Sequence, residues 1–215
     1  MRTATPFNEE GVRGFLHRPA GQVAGGLVLA HGAGGNCEAP LLIAAADAFC
    51  AAGFAVLRID LPFRQRRPKG PPSRHAAAED RAGLRNAAAA MRKLVPDPVM
   101  LGGHSYGGRQ ATMLAAEEPE VANALLLLSY PLHPPDKPAQ LRTAHFPNLR
   151  VPAVFVHGTS DPFASNAEME AAVALIPAPT SLVSIAGAGH DLKRGSLGFS
   201  WKAVVNALIA ASRHP

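Results

Sequence analysis

The sequence predicts an α/β protein, a three-layer αβα sandwich around a mostly parallel sheet. Three observations point there. Short apolar runs alternate with longer stretches of helical periodicity along the whole chain. At 215 residues, 47% apolar and 17% charged, the chain can bury one large core. Gly and Pro punctuate the ends of nearly every run. Residues 1–215 therefore read as one domain.

Six strands are nominated by short stretches that are apolar or β-branched, all expected to be buried: Gly26 to Ala30, Phe54 to Ile59, Val99 to Gly102, Ala124 to Leu128, Ala153 to Val156 and Ser181 to Ile185. Helices are predicted near 40–52, 76–94, 107–117, 166–176 and 197–212, where Ala, Leu, Glu and Arg recur with apolar residues three and four apart. Residues 1–18 alternate around Asn8-Glu-Glu-Gly11 and read as a hairpin flanking the main sheet. Leu61 to Ser73 and Tyr130 to Pro152 are Pro-rich and read as loops; the second stands where a cap domain would be inserted.

Composition excludes several classes of protein. Cys37 and Cys50 are the only cysteines, so neither a disulfide framework nor a zinc spacing is expected, and a reducing, cytoplasmic setting fits. Nothing at the start of the sequence has the apolar core of a signal peptide, and the greasiest stretch, Ala39 to Leu57, is interrupted by Asp47 and Gly53. No membrane association is expected. The formal charge is +5, yet no aromatic-interleaved basic motif accompanies it, so no nucleic-acid partner is predicted.

The chemistry concentrates in Leu101-Gly-Gly-His-Ser-Tyr-Gly-Gly-Arg109. Ser105 falls where a strand should give way to a helix, in the pattern G-x-S-x-G. A chain this rich in glycine produces about 0.1 such matches by accident, so the position between strand and helix carries most of the weight. A tight turn there presents the hydroxyl above the sheet, with glycines where side chains would collide. A serine hydroxyl needs a base and a group that orients the base. His190 in Ala186-Gly-Ala-Gly-His190 and Asp161 in His157-Gly-Thr-Ser-Asp161 each follow a predicted strand, and the order Ser105, Asp161, His190 is that of a catalytic triad on such a sheet. Asp191 is a rival carboxylate, ranked lower because a residue adjacent to the histidine rarely reaches that ring's Nδ1.

A negative charge developing on an attacked carbonyl needs donors. The Tyr106 N–H should be one, and an N–H of His31-Gly-Ala-Gly-Gly35 the other, with Ala33 ahead of Gly34. Arg64, Arg66 and Arg67 follow a strand end and are candidate contacts to an anionic part of a substrate, against the plainer reading of a solvated loop.

Across His31-Gly-Ala-Gly-Gly35, the GGHSYGG stretch, GTSDPF and GAGH, the chain resembles the α/β-hydrolase superfamily over essentially its full length. Ser129-Tyr-Pro-Leu-His-Pro-Pro135 and the small size are similar to its compact, dienelactone-hydrolase-like branch. The resemblance implies an ester or thioester hydrolase with no metal or organic cofactor, acting on a small-molecule ester-type substrate. Dienelactone hydrolases proper carry cysteine where this chain has Ser105, so their lactone specificity does not transfer. Two further readings use the same residues differently: a non-catalytic scaffold of this fold, and an acyltransferase or cofactor-free perhydrolase.

Overall fold

The computed structural model describes residues 4–73, 75–193 and 200–213. Among these, eight strands form one sheet: β1 (Thr5–Glu9), β2 (Val12–His17), β3 (Gly26–Ala30), β4 (Ala55–Asp60), β5 (Val99–His104), β6 (Leu125–Leu128), β7 (Ala153–Gly158) and β8 (Thr180–Ile185). Their spatial order is β1-β2-β4-β3-β5-β6-β7-β8. The β1–β2 hairpin is antiparallel and pairs antiparallel with β4, whereas β4 through β8 run parallel. Glu10 and Gly11, both at positive φ, close the hairpin.

Because side chains alternate across a strand, the apolar runs feed two cores. On one face Val28, Leu57, Leu101, Leu127 and Phe155 pack under α3 (Ala76–Leu94), α4 (Tyr106–Glu117) and α5 (Asn166–Val173). On the other, Leu27, Leu29, Val56, Met100, Leu126 and Val154 pack under α1 (Pro40–Ala51) and α6 (Trp201–Ser212). Both faces of the central strands are covered, which is why their sequences read as continuous apolar runs.

Three expectations change. β8 is not buried: it has a partner only in β7, and only Ile185 of its six residues is buried. Within the predicted loop 61–73, Pro62–Arg66 forms a one-turn helix, α2, started by Pro62 at its first position. The fourth predicted helix stops at Val173, three residues early; residues 197–199 of the last one lie outside the described part. Residues 129–152 hold only a 3₁₀ turn at Phe146–Asn148 and no cap domain.

The chain runs from β3 outward to β4, then crosses back to β5 on the other side of β3. This reversal leaves a crevice at the carboxyl ends of β3 and β5, where open α/β sheets hold their ligands. The loops after both strands are the two glycine-rich stretches singled out above.

Candidate active site

Ser105 links β5 to α4 with φ 49° and ψ −114°, a backbone conformation that a residue with a side chain adopts only under constraint. The constraint comes from both sides. Its N–H donates to Leu128 O on β6 at 2.9 Å, and its carbonyl accepts from the Arg109 N–H at 2.9 Å, the first bond of α4. The flanking glycines are required by close approach: a Cβ on Gly103 would lie 2.3 Å from Ala30 O, and one on Gly107 would lie 2.7 Å from both Ala30 O and His31 O. Both converge on the end of β3, so the turn is packed against main chain that cannot yield.

The loops after β7 and β8 are laced to each other. Ser160 N–H donates to Ala188 O at 2.9 Å, Gly187 N–H donates to Thr159 Oγ1 at 2.9 Å, and Thr159 N–H donates to Ile185 O at 3.1 Å. This lacing sets Asp161 and His190 in register. His190 Nδ1 lies 2.8 Å from Asp161 Oδ2 and Nε2 lies 2.9 Å from Ser105 Oγ; a neutral ring whose Nδ1–H donates to the carboxylate turns Nε2 to the serine as an acceptor. The Asp161 side chain is fully buried, and its other oxygen accepts the Phe163 N–H at 2.9 Å. The Phe163 ring lies over the imidazole with centroids 4.3 Å apart. Asp191 points away: it accepts the Lys193 N–H at 3.2 Å, which chiefly holds its carboxyl below the usual range, and lies 3.4 Å from the Lys193 side chain.

His104 is the residue directly before the serine. Its Nε2–H donates to His190 O at 2.9 Å and its ring lies 5.0 Å from that of His190. It ties the histidine loop to the serine turn. Burial pushes its pKa down, against a smaller upward pull from that bond.

The Tyr106 N–H, at the first position of α4, has no intrahelical acceptor. No acidic residue occupies that first turn, so the positive end of the helix stays open beside Ser105. Across from it runs Gly32-Ala33-Gly34-Gly35. A Cβ on Gly32 would lie 3.5 Å from Ser105 Cβ and 3.0 Å from His104 Nδ1, so the loop passes directly against the serine. The Gly32 carbonyl is turned to the His31 Nδ1–H at 2.8 Å and to the Gly35 N–H at 3.0 Å. In a trans peptide the N–H points opposite to the C=O, so the Ala33 N–H faces away from both.

The cleft over Ser105 has a volume of about 430 Å³. Ala33, Pro40, Leu41 and Phe163 supply apolar lining, and Asp191 and Lys193 charged lining. A depression of about 470 Å³ at the opposite end of the sheet, between Arg92, Glu120 and Arg150, contains none of these groups.

The three arginines nominated as substrate contacts are absent from the cleft lining. Arg64 is buried, and its guanidinium donates to four main-chain carbonyls. Arg66 pairs with Glu79, and Arg67 lines separate surface depressions with Pro68 and Pro71. The reason is α2: one helical turn directly after β4 swings the 64–69 segment past the crevice.

Comparison with known proteins agrees with this architecture. The family model described as alpha/beta hydrolase domain matches residues 24–214. Among solved structures, a dienelactone hydrolase from Anabaena variabilis superposes with a TM-score of 0.71 at 24% identity, covering 98% of this chain and 95% of that one. Est1E from Butyrivibrio proteoclasticus, solved with ferulic acid bound, gives 0.74 at 18% identity, covering 95% and 96%. A serine hydrolase from Xanthomonas campestris described as lacking a lid gives 0.67 at 18% identity, covering 98% and 93%.

Proposed function

This chain belongs to the alpha/beta hydrolase domain family, and from that premise we propose that it is a serine hydrolase cleaving carboxylic esters or thioesters through an acyl-enzyme. The observation that carries the reading is the unbroken chain Ser105 Oγ, His190, Asp161, with both contacts below 3 Å and the carboxylate on the ring nitrogen opposite the one that faces the serine. Ser105 Oγ attacks the acyl carbon while His190 Nε2 takes its proton. Buried Asp161 keeps the resulting imidazolium oriented and balanced. The oxyanion is received by the N–H groups of Tyr106 and Ala33, with Gly34 as the alternative second donor. Collapse of the tetrahedral adduct expels the alcohol or thiol, which receives the proton from His190. Water, activated by the same imidazole, then releases the acid and restores Ser105.

The cleft supports small to medium acyl groups without charge. Its lining includes Ala33, Pro40, Leu41 and Phe163, and its Asp191 and Lys193 pair with each other. Among the described residues, 129–152 contribute no cap domain, which favours soluble substrates. The serine-hydrolase description of one structural neighbour and the ferulic acid bound to another point the same way. Hydrolysis of p-nitrophenyl esters, varied in acyl length and charge, tests this. Neutral esters of short to medium length should turn over, succinate-type acidic esters should be poorer, and Ser105→Ala should abolish all of it. Turnover that survives Ser105→Ala would overturn the assignment.

A further inference from the structure

We propose that Arg64 is a positioning residue for the oxyanion-binding loop; this rests on the serine-hydrolase reading above and adds to it a clamp outside the triad. Gly32-Ala33-Gly34-Gly35 has one methyl group among four residues, so side-chain packing cannot hold it. Its carbonyls are what is held. Arg64 Nε donates to Gly35 O at 2.7 Å and Nη2 to Ala33 O at 3.0 Å. The same guanidinium donates from Nη2 to Gly70 O at 2.9 Å and from Nη1 to Arg67 O at 3.0 Å, which anchors it to its own segment. Its side chain is buried, 3% exposed for the whole residue, and no carboxylate pairs with it among the described residues. A buried guanidinium is stable only when its donors are satisfied, so these four carbonyls and the cation fix one another.

The geometric consequence follows from peptide planarity. Ala33 C=O and Gly34 N–H belong to one trans peptide and point in opposite directions, so turning the carbonyl onto Arg64 turns the Gly34 N–H away from it. The preceding peptide is set in the same way, with the Gly32 carbonyl held by His31 and Gly35. His31 is itself fixed from the Arg64 side: its Nε2 accepts the Leu61 N–H at 3.2 Å, directly before α2. Both candidate donor peptides of the loop are thus oriented through their carbonyls from the β4–α2 connection. That gives the short helix a purpose: it aims Arg64 at the loop after β3.

Loss of a single oxyanion donor lowers turnover by about 10²–10³. Loosening the loop that carries one should lower it by about 10–100-fold, with KM changed by less than about 3-fold, because the donors act chiefly on the transition state. The experiment compares wild type, Arg64→Lys and Arg64→Gln on a p-nitrophenyl ester and on its thionoester, after counting competent sites by end-point labelling with a fluorophosphonate. Thiocarbonyl sulfur accepts hydrogen bonds weakly, so the ester-to-thionoester ratio of kcat/KM reports donor alignment and not folding. The expected result is a lowered kcat per labelled site, together with a ratio reduced about 10-fold or more. Arg64→Lys keeps the charge but cannot span four carbonyls and should show both effects in smaller measure, which serves where Arg64→Gln does not fold. Wild-type kcat per site with an unchanged ratio, or activity lost only in proportion to labelled sites, overturns the proposal while leaving the serine-hydrolase reading intact. Wild type that takes no label and cleaves no ester overturns both.

Discussion

Gly107→Ala tests how the serine turn is held. A methyl group at this position would sit 2.7 Å from both Ala30 O and His31 O, about 0.7 Å inside ordinary contact. Both obstacles are main chain at the end of β3, which is buried between β4 and β5 and cannot retreat. The start of α4 must therefore move instead. Overpacking of this kind destabilises by about 1–3 kcal/mol, offset by the ~1 kcal/mol better helix propensity of alanine, so the net loss should be about 0–2 kcal/mol. The effect on turnover should be larger than the effect on stability. Shifting α4 displaces the Ser105 hydroxyl and the Tyr106 N–H by several tenths of an ångström relative to His190 and the 32–35 loop. Misplacement near 1 Å loses about 10²-fold in rate, so kcat/KM should fall about 30–100-fold. Urea unfolding and ester kinetics measure the two effects separately. Gly21→Ala, where the added methyl meets nothing within 4 Å, should leave both unchanged. A Gly107→Ala protein with kcat/KM within about 3-fold of wild type would refute the idea that main-chain contact positions the nucleophile.

Asp161→Asn should lower kcat by about 10³–10⁴ by favouring the wrong imidazole tautomer, whereas Asp191→Asn should change it by less than about 3-fold; equal losses would mean that the carboxylates share the task. Stability should fall as pH drops from 7 toward 4. Burial, and then Arg109 and Arg81, push His145 down to about 4 from its ordinary 6.5, so between those values the unfolded chain takes up a proton that the folded one refuses. His17, His31 and His104 are pushed in the same direction, chiefly by burial. His145→Gln should show a shallower decline of Tm over this window, and a slope equal to that of wild type would contradict the assignment.

Much of this was legible in the sequence because local and long-range signals coincide at the centre of the sheet. Buried parallel strands must be continuously apolar, so β3 through β7 announce themselves in chain order. That Ser105, Asp161 and His190 would meet could be read because each follows a strand, and a parallel sheet brings strand ends to one edge. β8 was misjudged as buried because apolar residues such as Leu182 and Val183 occur on edge strands as well, and whether a ninth strand covers them is a tertiary fact. The arginines were misplaced for a sharper reason. In Phe63-Arg-Gln-Arg-Arg-Pro-Lys69 the three cations look alike, yet one is buried, one is paired and one is exposed. The signal that separates them lies thirty residues away, in a loop of glycines without side chains of its own to hold it in place. His104 was passed over for a related reason: its partner is a main-chain carbonyl, which leaves no trace in residue types.

The central claim is that Ser105 is a nucleophile activated by His190. Intact-protein mass spectrometry after exposure to a fluorophosphonate, followed by peptide mapping, tests it most directly. One adduct per chain is expected, located on the Gly102–Arg109 segment at Ser105, abolished in Ser105→Ala and slowed by about 10³-fold or more in His190→Ala. A folded wild-type protein that acquires no adduct, or one labelled equally well without Ser105, would contradict it.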